Sequence, residues 1–134
     1  MLKGETTNSN EPNILWDRKT GCKQANYQFY AYNKACAGQL KEVASYRPNG
    51  FGIYDMRGNV EEMMADCSTR DLSDLPQDGS ACQTQRCKAH AVRGGDYLDK
   101  ADKMHIDFRY NFDRKTVSQT LGFRLAQSAD MVGK

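Results

Sequence analysis

Nowhere does this 134-residue chain string together the roughly 18 apolar residues that a membrane-spanning helix requires. Its net charge is only +2 with 27% charged residues, so it has no broad basic field of the kind that grips nucleic acid. Met1 to Asn10 is polar and contains no apolar h-region, so no signal peptide is expected there. Internal repeats are absent, and no hydrophobic period is sustained from Gly21 to Arg47. No cysteine follows Cys87. What remains is one domain with a modest core, soluble and rich in loops.

Cysteine, by contrast, is plentiful. Cys22, Cys36, Cys67, Cys82 and Cys87 all fall in loops or at element ends. That density in a short chain suggests disulfides and an extracytoplasmic protein, periplasmic or secreted. Five is odd, so one thiol is free, pairs with another chain or binds something. Cys67, Cys82, Cys87 and His90 are spaced C-x14-C-x4-C-x2-H, which could make a Cys3His zinc site or a disulfide with a spare thiol. A nucleophilic cysteine with His90 or His105 as its base has no local signature to support it.

Residues 1–13 read as a flexible polar lead, 14–127 as the domain and 128–134 as a frayed tail. Trp16 is the first expected core contact, and Tyr27, Phe29, Tyr30 and Tyr32 form an aromatic cluster. Phe51 to Tyr54 reads as a short strand. Asn59 to Ala65 or Asp66 reads as a short helix with Val60, Met63 and Met64 inward. A polar loop runs over 68–88. Ala89 to Tyr97 is a strand broken at Gly94-Gly95, where backbone must pass closely. Ile106 to Tyr110 alternates like a half-buried strand, and Gly122 to Ala126 closes the fold.

The segment Asp55-x-x-Gly58-Asn59-Val60-x-Glu62 packs hard oxygen ligands into a tight turn. Two carboxylates plus backbone carbonyls suit calcium. Asn59 with Glu62 three residues on also matches an N-cap and its capping-box partner, which needs no metal. Further on, Asp96, Asp99, Asp102 and Asp107 surround Tyr97. They could receive a basic ligand or a second cation, or form a solvated charged face.

Three pieces taken in order carry a family likeness: Pro48-Asn49-Gly50-Phe51-Gly52-Ile53-Tyr54-Asp55 through Gly58-Asn59-Val60-Glu61-Glu62, then Arg93-Gly94-Gly95-Asp96-Tyr97, then Leu121-Gly122-Phe123-Arg124-Leu125-Ala126. Together they resemble the C-terminal half of the formylglycine-generating enzyme, or sulfatase-modifying-factor, family. The match is good over about 46–126 and loose over 14–45. The resemblance implies an α+β, loop-rich variant of the C-type-lectin-like fold, with short antiparallel strands and few helices. It implies calcium held by the side chains of Asp55 and Glu62 and the carbonyls of Gly58 and Val60. A second family calcium site would fall at Asn26 and Tyr27, where the downstream acidic ligand is missing, so none is expected there. Relatives also imply a Cys67–Cys87 bridge across the long loop, which would leave Cys82 to pair with Cys36 or Cys22. Arg109 and Arg124 should hold structural ion pairs with buried acids.

The departures matter as much. The resemblance puts the two catalytic cysteines at Asp99 and Met104, the active-site serine at Asp96, and a Trp-Glu-Trp run at Glu61-Glu62-Met63. The family's oxidation uses a thiolate pair to bind copper(I), a soft ion that carboxylate and thioether do not replace. Copper is therefore not expected. The implied function is a non-catalytic, calcium-stabilised binding domain that engages a protein or small ligand through Asp96, Tyr97, Asp99, Asp102, Arg109 and Tyr110. The alternatives are a sulfatase-activating oxidase, a relative with iron-dependent sulfur chemistry, or a regulatory subunit whose partner chain supplies the family's N-terminal half.

Overall fold

The computed structural model describes residues 21–29, 34–69, 71–105 and 107–127. The expected lead, the frayed tail, Trp16, Tyr30 and Tyr32 lie outside them. Among the described residues the scaffold is a four-stranded mixed sheet ordered β5-β4-β3-β6, with β3 Glu61–Cys67, β4 Ala89–Arg93, β5 Tyr110–Asp113 and β6 Leu121–Gly122. β4 pairs antiparallel to both β3 and β5, while β6 runs parallel to β3. A two-stranded ladder, β1 Gln28–Phe29 with β2 Lys34–Ala35, stands apart. Two 3-10 turns, Leu72–Asp74 and Ala101–Met104, lie in the connections between strands. Short strands, little helix and long loops agree with the α+β C-type-lectin-like fold that the resemblance implied.

The segment expected to be a helix is β3. Glu-Glu-Met-Met-Ala is rich in good helix formers, but intrinsic propensity is a weak prior. Here β4 and β6 bracket the segment on both sides and take its backbone groups into ladders. Its entry also rules out a helix N-cap: Gly58 and Asn59 both have left-handed backbone (φ +72° and +67°), whereas an N-cap is extended. Asn59 turns its side chain elsewhere and makes no capping box with Glu62.

The expected strand over Phe51–Tyr54 is not formed. Asn49 closes a tight turn, its Oδ1 accepting from the Phe51 and Ile53 amides at 2.9 and 3.0 Å. Asparagine side chains compete with sheet ladders in this way. Of the strand expected over Ile106–Tyr110, Ile106 lies outside the described residues, Asp107 to Arg109 form no ladder, and the strand is Tyr110–Asp113. The strand expected over Gly122–Ala126 is confined to Leu121–Gly122, and Phe123 to Gln127 form no ladder.

The core cluster sits beside the sheet: Ala25, Tyr27, Ala101 and Met104, with Cys36 packed against it. Gly58 locks this cluster to the sheet. It bridges to Asn26, and a Cβ on it would stand 2.3 Å from the Asn26 carbonyl oxygen. Asn26 is fully buried; its Nδ2 donates to the Gln39 carbonyl (2.8 Å) and to Asn59 Oδ1 (3.2 Å). Its Oδ1 has no partner among the described residues. Asn59 exchanges two further bonds with the Lys41 backbone.

Disulfides join Cys22 to Cys36 and Cys67 to Cys87, and Cys82 is a buried thiol. The Cys67–Cys87 bridge agrees with the expectation from relatives and removes the zinc reading. The expected pairing of Cys82 is corrected, because Cys22 and Cys36 pair with each other. Among the described residues no helix is long and apolar enough to cross a membrane.

Candidate functional site

The β4–β5 hairpin, with the loop entering β3, carries the candidate site at one end. After Arg93 the chain breaks at Gly94 and Gly95, both with positive φ (+93° and +66°). A Cβ on Gly95 would meet Met104 Cε at 2.6 Å, so glycine lets this loop close onto the core. Asp96 then organises the turn: its Oδ1 accepts from the Leu98 amide (2.7 Å) and the Asp99 amide (3.0 Å), while the Asp96 amide donates to Asp99 Oδ2 at 3.3 Å. Part of the acidic character is therefore turn chemistry.

The sequence reading missed a residue that the fold brings here. Glu61, the first residue of β3, is only 4% exposed and lies in the field of Asp99 and Asp96. Burial, with Asp99 and then Asp96 adding repulsion, pushes its carboxyl up to about 7 from an ordinary 4.5. Burial and Asp96 also raise Asp99. Lys103 opposes both shifts. The sequence carries no local signal for this, because the burial of Glu61 follows from the pairing of β3 with β6 and β4.

Lys103 links this cluster to the aromatics. Its Nζ lies 4.0 Å from the Phe108 ring centroid and 4.8 Å from that of Tyr110, and the two rings meet edge to face at 4.8 Å. Asp102 is exposed and Tyr97 half-buried nearby. Arg109 turns away and donates to the Thr69 carbonyl at 2.7 Å, so it ties down the long loop and pairs with a carbonyl where an acid was expected. The fold thus gathers Asp96, Asp99 and Glu61, reaches Tyr110 through Lys103, and does not bring the Arg109 guanidinium to them.

At the Asp55–Glu62 turn, Arg124 grips Glu62 side-on. Its Nε donates to Oε2 at 2.6 Å and its Nη2 to Oε1, while Nη1 and Nη2 also donate to the Tyr54 and Asp55 carbonyls at 2.9 and 3.0 Å. Arg124 is thus the structural ion-pair residue that its motif implied. The Ala44 amide donates to Asp55 Oδ2 at 2.6 Å. The Met56 and Val60 carbonyl oxygens converge beside Gly94, 3.5 and 3.9 Å from where a Cβ would stand. No group of three or more His, Cys, Asp or Glu side chains converges for a metal ion among the described residues.

The model of the sulfatase-modifying factor enzyme 1-like domain matches residues 7–129. This chain belongs to that family. Two solved structures share the fold of this member: PvdO from Pseudomonas aeruginosa (27% identity, TM-score 0.67, covering 83% of this chain and 48% of that one) and Treponema denticola variable protein 1 (27% identity, TM-score 0.60, covering 75% and 34%). Among curated proteins, serine/threonine-protein kinase pkn1 of Chlamydia pneumoniae is 33% identical over 88 residues, 64% of this chain and 14% of the kinase. Its namesake in Chlamydia caviae is 33% identical over 87 residues, 63% and 14%. The chain thus spans about half or less of the relatives it matches.

Proposed function

We propose that this family member is a non-catalytic, calcium-stabilised interaction domain that works outside the cytoplasm. One observation carries the reading. Met104, where the resemblance puts the second catalytic cysteine, is 1% exposed and packs on Ala25, Tyr27 and Ala101. A thioether sealed in the core offers no soft ligand at the surface. The other cysteines support this reading: four are in disulfides and the fifth is a buried thiol, whereas copper(I) calls for a thiolate pair.

The ligand face is the strip of Asp96, Tyr97, Asp99, Asp102 and Tyr110, with Arg109 at its border, and its acidity fits a basic protein segment. Calcium at Asp55, Gly58, Val60 and Glu62 belongs to the same proposal; of these ligands the Val60 carbonyl converges with that of Met56 beside Gly94, while Glu62 is held by Arg124, and Asp55 accepts from the Ala44 amide. Two disulfides support an oxidising compartment. The match to only 14% of a kinase supports a role as a module within larger proteins.

The test uses the purified domain, copper(I) and a cysteine-bearing peptide. No aldehyde should form, and copper(I) competition against a chelator should show no stoichiometric binding. Aldehyde formation on the peptide overturns the reading. A lysine-rich peptide should bind, and Asp99→Asn should weaken it.

A second reading, a subunit completing a split domain, rests on Phe123 and Leu125. They follow edge strand β6 and are 75% and 90% exposed. Sedimentation separates the two: a clean monomer supports the stand-alone domain, and obligate pairing supports the subunit.

A further inference from the structure

The opposite end of the β4–β5 hairpin carries a cleft of about 380 Å³, lined by Gln85, Arg86, Cys87, Lys88, Asp113, Arg114 and Lys115. Four cations and one carboxylate give it a net +3 in a chain whose total is +2, so the rest of the molecule is slightly acidic. Among the described residues no carboxylate forms an ion pair with any of these four cations. Asp113 is occupied within its own turn, its Oδ1 accepting from the Lys115 amide at 2.9 Å.

Like charges gathered without partners repel, and a flexible loop would let them spread. This frame resists that. Cys87 is tied to the end of β3 by its disulfide, Ala89 pairs with Asp113 in the ladder, and the Arg114 amide donates to the Lys88 carbonyl at 3.1 Å. Both walls are therefore pinned at the backbone. Two of the four cations are arginines, one from each wall, and the guanidinium fork matches phosphate oxygens in pairs.

From this juxtaposition we infer that the cleft between residues 85–88 and 113–115 binds a small phosphorylated ligand, with Arg86 and Arg114 as its main contacts and Lys88 and Lys115 as supporting charge. The site is separate from the acidic strip and does not depend on the strip's ligand.

Inorganic pyrophosphate is the probe. Titrated into the whole chain and followed by amide chemical shifts, it should move residues 85–88 and 113–115 and leave 96–104 in place. Arg86→Gln with Arg114→Gln should weaken binding about tenfold or more, as expected when charge-assisted bonds to an anion are lost. Both side chains are exposed, so the melting temperature should hold. If the double variant melts lower, each single variant carries the test. Shifts scattered over the surface, or affinity unchanged in the arginine variants, overturn the inference. Vesicles of phosphatidylcholine with and without phosphatidylglycerol separate the ligand's source. Retention on the anionic vesicles that is lost in the arginine variants assigns a lipid headgroup, and pyrophosphate binding without retention assigns a free phosphate ester.

Discussion

The two ends of the β4–β5 hairpin differ in how they treat charge. At the end next to Arg93 and Tyr110, carboxylates are drawn inward, bonded to turn amides, buried against β3 and faced by Lys103. At the end next to Ala89 and Asp113, cations stand outward around a cleft with no acid paired to them among the described residues. Only a four-residue ladder separates them, roughly 13 Å at the rise of a strand. The difference follows from what pins each end. Glycines that let backbone approach backbone hold the acidic end, so its side chains are forced together. A disulfide and the ladder hold the basic end, fixing the backbone and leaving the side chains to solvent. One small sheet thereby buries acid at one end and displays base at the other.

The largest effect should come from attacking the glycine contact. In Gly58→Ala the new Cβ would collide with the Asn26 carbonyl at 2.3 Å, at a φ of +72°. Left-handed strain and overpacking together cost about 4 kcal/mol. Calorimetry should show loss of most of the domain's stability. A variant that melts within a few degrees of the parent would show that the acidic end is not built on this approach.

Removing the Cys67–Cys87 bridge strikes the other end. For a sequence separation of 20 the chain-entropy estimate is roughly 3 kcal/mol. In Cys67→Ser with Cys87→Ser, hydrogen exchange should speed up over 85–88 and 113–115 first, with the Gly94–Asp99 turn protected longer. Uniform loss of protection would mean the two ends are not pinned separately.

Glu61 gives the comparison a pH dependence. Its folded pKa is raised to about 7 above an ordinary 4.5, so the unfolded chain releases this proton first as pH rises. Stability is then full below about pH 4.5 with respect to this group and falls from there to about pH 7. The loss is roughly 3 kcal/mol at most, and Asp99 adds to it in the same direction. Glu61→Gln should flatten the decline between pH 5 and pH 7 in urea melts, checked against wild type at each pH. A wild-type stability that rises over that interval would contradict the burial of this carboxyl.

How much of this was legible depended on whether a local cause decided the conformation. The Gly94-Gly95 break, the Ala89 strand and the long polar loop were readable because turn chemistry and glycine act locally. The Cys67–Cys87 bridge came only through relatives. β3 was unreadable, since Glu-Glu-Met-Met-Ala prefers a helix and becomes a strand only because β4 and β6, both distant in sequence, pair with it. Glu61 was missed with it, because its burial follows from that pairing. The basic cleft was hidden for a similar reason: Arg86 and Arg114 meet only through the Ala89–Asp113 register, and a net charge of +2 gave no hint of local concentration. At the Asp55–Glu62 turn the sequence offered calcium or a capping box, and the strand removes the capping box.

The smallest effect separates two cations at that turn. Arg124 and the proposed calcium both draw on Glu62, whose side chain is only 15% exposed. Arg124→Ala leaves this carboxylate uncompensated and frees the Tyr54 and Asp55 carbonyls; with the arginine itself about a third exposed, the cost should be about 1–2 kcal/mol. If calcium also sits on Glu62, the two cations partly substitute for each other. The Arg124→Ala penalty measured in a chelator should then shrink in millimolar calcium, and calcium should raise the variant's melting point more than the parent's, because a ligand bound only by the folded state stabilises it. Glu62→Gln removes the shared carboxylate and should abolish the difference. A penalty identical in calcium and chelator, with no calcium shift in the parent, would leave the guanidinium as the turn's sole cation and withdraw the metal from Asp55, Gly58, Val60 and Glu62.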